Sequence, residues 1–262
     1  MILETNIEQL REKYIADNYI AFSMDIDWAS EYCITEMLDF FDQNDIPLNV
    51  FCTHPSKVLE ERRNHPNLEF GIHPNYAPGS SQGSTIDEVT DYCMKLVPEA
   101  RSVRGHRWYS CNDMYDRLVK EGIRYDSNEC TMLDLAQPYI HRSGVLRMPV
   151  YFEDGGFLWS KGEPDFKANG KKYFDRLGLK VLDLHPIHFA INSPTLEYYW
   201  HVRDTLSREE YSNMSRAVVE RIRFKGKGIR DYVMDLVEYV KAKGIRVVSL
   251  GQVFDELIFY NL

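Results

Sequence analysis

Residues 18–30, NYIAFSMDIDWAS, decide the fold. The run begins with aromatic and β-branched residues and contains two aspartates two positions apart, Asp25 and Asp27, before reaching Ser30. Such a run predicts a buried strand over about residues 18–25 that ends in acidic side chains. The segment after Ser30 places Ile34, Met37, Leu38 and Phe41 at helical spacing, so a helix follows the strand. Side chains at i and i+2 share one face of a strand, and Asp25 and Asp27 can therefore both point toward the same end of a barrel.

The same grammar recurs along the chain. IPLNVFCTH (46–54), LEFGIH (68–73), ARSVRGH (100–106), IRYDSN (123–128), VLRMPVYFED (145–154), LKVLDLHPIH (179–188) and IRVVSL (245–250) read as strands. Helical patterns lie between most of them, including SKVLEERRNHP, SCNDMYDRLVKEG closed by Gly122, and the amphipathic IRDYVMDLVEYVKAKG. Thr85 is placed to cap a helix starting at Ile86, with Glu88 as its capping-box partner. Strand–helix alternation of this kind predicts an α/β fold, an irregular (β/α)7-8 barrel. The 262 residues, 44% of them hydrophobic, are enough for one domain spanning 1–262. Two stretches break the repeat: the Gly-rich, charged 155–178, and a long insertion at about 193–227 that carries Tyr198, Tyr199, Trp200 and Tyr211. Insertions after barrel strands are where substrate contacts are usually built, although aromatics there also serve as local packing.

Composition narrows the function. A net charge of -9 argues against nucleic-acid binding. The one basic cluster, Arg221, Arg223, Lys225 and Lys227, reads as a solvated loop, with a phosphate contact as the alternative. No apolar window is long enough to span a membrane, and the polar, acidic N-terminal stretch lacks the pattern of an export signal, so a cytoplasmic location is expected. The five cysteines are odd in number and irregularly spaced, as expected of free thiols.

The chemistry concentrates at the expected strand ends. Asp25 and Asp27 end the first strand, His54 the second, His73 the third, Arg104 and His106 the fourth, Glu153 and Asp154 the sixth, and His185 and His188 the seventh. In a parallel barrel these ends share one rim. Carboxylates and imidazoles crowded together favour a cation, and a catalytic site of this donor type leaves a position for water.

The order and context of these motifs resemble the polysaccharide deacetylases, the NodB-like carbohydrate esterases, with the WbmS-type branch nearest. The resemblance covers roughly residues 18–192, and it implies one divalent metal, zinc first. In FSMDIDWA it makes Asp25 the base and Asp27 a ligand. In GIHPNYA it makes His73 a ligand, but the family's second histidine falls on Ala77, so a third ligand must come from elsewhere. His54 is the first choice, with His106 and His188 in reserve. VRGHRW places Arg104 where the family has the arginine that holds the base. LDLHPIH makes His185 the general acid, with His188 as a further candidate, and PVYFED offers Glu153 or Asp154 to tune it. His106, Arg107, Glu153, Asp154 and Trp200 are the expected substrate contacts. The implied activity is removal of an N-acetyl group from a sugar that is nucleotide-linked, lipid-linked or part of an oligosaccharide, in surface-polysaccharide biosynthesis. A cyclic-amide or ureide hydrolase and a non-catalytic glycan-binding member remain as rival readings.

Overall fold

The computed structural model describes residues 12–259; most of the polar N-terminal stretch read above for an export signal, residues 1–11, lies outside them. The opening motif forms β1 (Asn18–Asp25), whose last seven residues are all buried. Ser30 caps α1 (Glu31–Gln43) by accepting from the Cys33 amide, and the helix buries Cys33, Ile34, Met37, Leu38 and Phe41. These positions are three and four apart, the spacing of one helix face.

The remaining strands are β2 (Leu48–Cys52), β3 (Leu68–Ile72), β4 (Ser102–Val103), β5 (Tyr125–Asp126), β6 (Tyr139–Ile140), β7 (Leu146–Arg147), β8 (Val150–Glu153), β9 (Gly178–Leu184) and β10 (Arg246–Val247). They form one sheet in the order β6-β7-β5-β4-β3-β2-β1-β9-β8, with β10 also paired to β1. All pairings are parallel except β6 with β7. The sheet curls strongly. The outer edge of β8 meets residues 129–133, which continue from β5, through Val150 N to Glu129 O (2.7 Å) and Thr131 N to Val150 O (2.9 Å). The expected irregular α/β barrel is therefore present, closed by a short seam.

The helices that follow α1 are α2 (Lys57–Glu61), α3 (Ile86–Leu96), α4 (Asn112–Leu118), α5 (Asp154–Trp159), α6 (Phe166–Phe174) and α7 (Pro186–Ala190). Then come α8 (Leu196–Thr205), α9 (Arg208–Ser212), α10 (Arg216–Ile222), α11 (Ile229–Lys243) and α12 (Leu250–Phe259). The chain leaves α11 through Gly244 at φ 64°, a left-handed conformation that suits glycine. Among the described residues no helix is long and apolar enough to cross a membrane.

Three local expectations are corrected. The strand expected over 145–154 is two strands, β7 beside β5 and β8 beside β9. Pro149 separates them, and its missing N–H cannot continue a ladder. The helical turn after β9 begins at Pro186, so His188 lies on α7 rather than at a strand end. Thr85 does cap α3, but Glu88 reaches back to the Ser84 amide and not to Thr85. The 193–227 insertion is mostly helical, and its basic cluster is largely exposed as expected, with Arg223 bonded to both carboxylate oxygens of Glu36 at 2.6 Å and Lys227 meeting Asp165. Cys33, Cys52 and Cys93 are buried free thiols, and Cys111 and Cys130 are partly buried free thiols.

Candidate metal and catalytic site

The carboxyl ends of β1, β3 and β4 bring three potential ligands together. Asp27 Oδ1 lies 3.2 Å from His73 Nε2 and 3.1 Å from His106 Nδ1. The two imidazole nitrogens are 3.3 Å apart. Asp27 is carried on a turn whose backbone is left-handed at two consecutive non-glycine residues, Asp27 (φ 37°) and Trp28 (φ 54°). A second such pair, Arg107 (φ 56°) and Trp108 (φ 61°), follows His106. Backbone of this kind is uncommon for bulky residues and clusters at functional sites. His106 reaches the site because β4 is only two residues long and turns at Gly105, where a Cβ would collide with the Tyr109 carbonyl oxygen.

The donor set fits a divalent cation. Two imidazole nitrogens and a carboxylate oxygen converge, as zinc sites require, and the two nitrogens face each other where one cation would relieve them. Burial alone would raise the Asp27 carboxyl; hydrogen bonds from His106 and His73 outweigh it and hold the group well below the usual range. Metal-bound histidines usually donate their other nitrogen to an acceptor. His73 departs from that pattern, for its Nδ1 is buried without a partner.

His54 is not part of this group. It follows β2, shares a hydrogen bond with Thr53 Oγ1 (2.8 Å) and lines a separate cleft with Pro55, Ser56 and Arg63. Burial pushes its imidazole below the ordinary value. Instead His106, the reserve ligand that had also been expected to touch substrate, stands beside Asp27 and His73.

Asp25 sits beside the cluster, with Oδ2 3.5 Å from His73 Nε2. Its Oδ1 accepts from Arg104 Nη1 at 2.8 Å. Arg104 is fully buried and makes five hydrogen bonds, to Asp25, Asp183, the Ser23 hydroxyl, and the Ser127 hydroxyl and carbonyl. Its guanidinium also lies 4.4 Å from the Phe51 ring centroid. Desolvation opposes its charge, but Asp183 and Asp25 more than compensate and raise its pKa.

Across the cleft, His185 ends β9. Its Nδ1 meets Asp154 Oδ1 at 2.6 Å, and Asp154 Oδ2 accepts from the His185 amide at 2.7 Å. That leaves Nε2 facing Asp27 Oδ2, 3.7 Å away. Burial disfavours the imidazolium, yet Asp154 lifts His185 well above its ordinary value. His188 is the opposite case: burial pushes it down to about 4, and it bonds Ser193 Oγ at 2.9 Å. Glu153 accepts from the Gly156 amide, and burial pushes its carboxyl up to about 7.

Asp25, Asp27, His73, His106, His185 and His188 thus line one cleft of about 460 Å³, with Arg107 and Glu153 at its walls. Trp200 does not line it. That position belongs to Trp159, 69% exposed, against whose ring Trp200 packs edge-on at 6.0 Å. The cleft continues, past Asp27, His106 and Tyr199, into a second hollow of about 680 Å³ that carries Trp28, Arg203 and Arg208. Sequence reasoning missed Trp159 and Asp183, while Tyr199, one of the aromatics noted in the insertion, does line the cleft. Asp183 had a legible signal, since it lies two residues before His185 on the same strand face.

A family model described as WbmS-like polysaccharide deacetylase matches residues 22–203. No curated protein matches the chain. A solved structure from Bordetella bronchiseptica, designated a polysaccharide deacetylase involved in O-antigen biosynthesis, is 27% identical. It aligns with a TM-score of 0.75 over 84% of this chain and 90% of its own. A polysaccharide deacetylase structure from Mycobacterium smegmatis aligns at 13% identity and TM-score 0.51, over 93% of this chain and 91% of its own. The Bc1960 peptidoglycan N-acetylglucosamine deacetylase does so at 13% and 0.50, over 95% and 96%. These last two speak to the fold. With 182 matched positions that contain every residue of the cleft's polar rim, the chain belongs to the WbmS-like polysaccharide deacetylase family.

Proposed function

We propose that this chain removes the N-acetyl group of a sugar by metal-dependent hydrolysis during assembly of a surface polysaccharide of O-antigen type, in the cytoplasm. One observation carries the reading: the Asp27–His73–His106 cluster is flanked on one side by an Arg104-held carboxylate and on the other by an Asp154-held imidazole. The designation of the Bordetella relative supports the O-antigen setting.

Asp27, His73 and His106 would hold the cation, zinc first, which when bound acidifies water and polarises the acyl carbonyl. Asp25 accepts the proton of the attacking water, and Arg104 fixes that carboxylate by a charge-assisted bond. His185, its Nδ1 tied to Asp154, presents Nε2 to the cleft and protonates the departing amine. Water and amide become acetate and the protonated amine, and the proton taken at Asp25 balances the one given at His185. Buried His188 stays neutral and serves better as a wall against Tyr199, whose ring centroid is 4.5 Å from its own. Trp159 and Arg107 at the mouth would contact the sugar.

His106 also bears on the rival of a degenerate glycan-binding member, because it restores a second imidazole where Ala77 removed one. The test is Asp25→Asn in the metal-loaded protein, assayed on acetylated sugars alongside cyclic amides. Turnover of the sugar should fall by about 10²–10⁴-fold, the usual weight of a general base, with metal content unchanged. Full activity in that variant, or cyclic amides as the better substrates, would end the proposal.

A further inference from the structure

Asp183 belongs to β9, opposite Ser23 of β1 on one side and Glu153 of β8 on the other. Its Oδ1 accepts from Arg104 Nη1 at 2.7 Å, the same nitrogen that serves Asp25 at 2.8 Å. Its Oδ2 has no hydrogen-bond partner, although the residue is only 1% exposed and borders the cleft. The titratable groups facing it are Arg104 after β4, Asp25 on β1, Glu153 on β8, His185 at the end of β9 and the Cys130 thiol in the closing segment.

The charges among these groups do not cancel. One guanidinium serves two buried carboxylates, and the charge of His185 is already engaged by Asp154 at 2.6 Å. Two carboxylates sharing a site cannot both ionise cheaply, and an unpaired buried oxygen costs far less when neutral than when charged. Between the pair, Asp25 Oδ2 lies 3.5 Å from His73 Nε2, whereas Asp183 Oδ2 has no hydrogen-bond partner.

We propose that Asp183 is a positioning residue that carries a proton, holding Arg104 in place through Oδ1 while leaving the guanidinium charge to Asp25. The direction of its titration agrees: burial raises its carboxyl well above the usual range, against the pull of Arg104. The arrangement keeps the Arg104 guanidinium aimed at Asp25. Its catalytic meaning rests on the deacetylase reading, but the protonation itself does not.

Infrared spectroscopy of the metal-loaded full chain at neutral pH tests it. The C=O stretch of a protonated carboxyl is separate from the carboxylate bands, and one such band should disappear in Asp183→Asn. In turnover, Asp183→Ala should lower kcat at least tenfold with KM unmoved, and Asp183→Asn should restore most of the loss. If Asp183→Ala does not fold, the infrared comparison with Asp183→Asn decides alone. The proposal is overturned if no band is lost, if Asp183→Asn is as impaired as Asp183→Ala, or if a second bound metal equivalent disappears with the side chain. A protein that deacetylates nothing would sink the proposed function while the infrared band still reports the proton.

Discussion

Replacing Arg104 by methionine should be the most destabilising single change at the site. The side chain is fully buried and donates five hydrogen bonds, two of them to aspartates. Methionine fills much of the volume and removes every donor. Hydrogen bonds that involve a charged group contribute about 1.5–3 kcal/mol each, so the guanidinium's bonds to Asp25 and Asp183 alone suggest roughly 3–6 kcal/mol. Breaking a buried ion pair from one side costs about 3–5 kcal/mol by independent reckoning. The two agree on about 4 kcal/mol, a large part of the roughly 5–15 kcal/mol by which domains are stable. For a chain of this size each kcal/mol moves the melting temperature by about 2–4 °C, so the expected drop is on the order of 10 °C. Urea unfolding at neutral pH measures it, with the slope m checked for constancy. A loss under about 1 kcal/mol would refute the argument, since it would mean that the carboxylates never depended on the guanidinium.

Other expectations follow from the same geometry. His106→Ala should strip the metal from the purified protein while His54→Ala retains it, as elemental analysis would show; the reverse result restores His54 as the ligand. Trp159→Ala should raise KM for the acetylated sugar by about tenfold, equal to about 1.4 kcal/mol of binding, and leave kcat nearly unchanged. Burial, and secondarily the Arg176 charge, pushes the Lys180 ammonium down to about 8. The fold therefore disfavours protonated Lys180: it is penalised below about pH 8 and gains stability as pH rises toward the ordinary lysine value of about 10.4. Comparing urea unfolding near pH 8 with that near pH 10 should show this gain in the wild type but not in Lys180→Met. An equal pH response in both chains would remove Lys180 from the account.

How much of this was legible beforehand depended on the length of each element. β1, β2, β3 and β9 carry five to eight residues each, so their hydrophobic runs announced them and their polar ends fell where expected. Asp25, Asp27, His73 and His185 were readable for that reason. β4 has two residues, too few for periodicity, and the turn after it relies on left-handed backbone at Arg107 and Trp108 that no residue type there signals. His106 was consequently expected to touch substrate before metal. His54 ends a well-formed strand, yet being at a strand end does not fix the direction of a side chain once the backbone leaves the sheet. Pro149 was visible, but its effect was not: local sequence does not reveal that a chain will cross from one neighbour to another. Trp159 and Trp200 were indistinguishable as aromatics in irregular stretches, and only packing decided which one faces the cleft.

The break at Pro149 has a mechanical corollary. β1 and β9 are zipped over seven register pairs, whereas β8 is joined to the stretch beyond β5 by one isolated bridge at Cys130–Val150 and a few neighbouring amide bonds. Local opening follows the path with the fewest cooperating bonds. The barrel should thus breathe along its back wall, and the stave bearing Asp154 and His185 will swing with β1 rather than away from it. His185 and Asp27 keep their spacing through such motion, and the cleft can loosen without misaligning its polar rim.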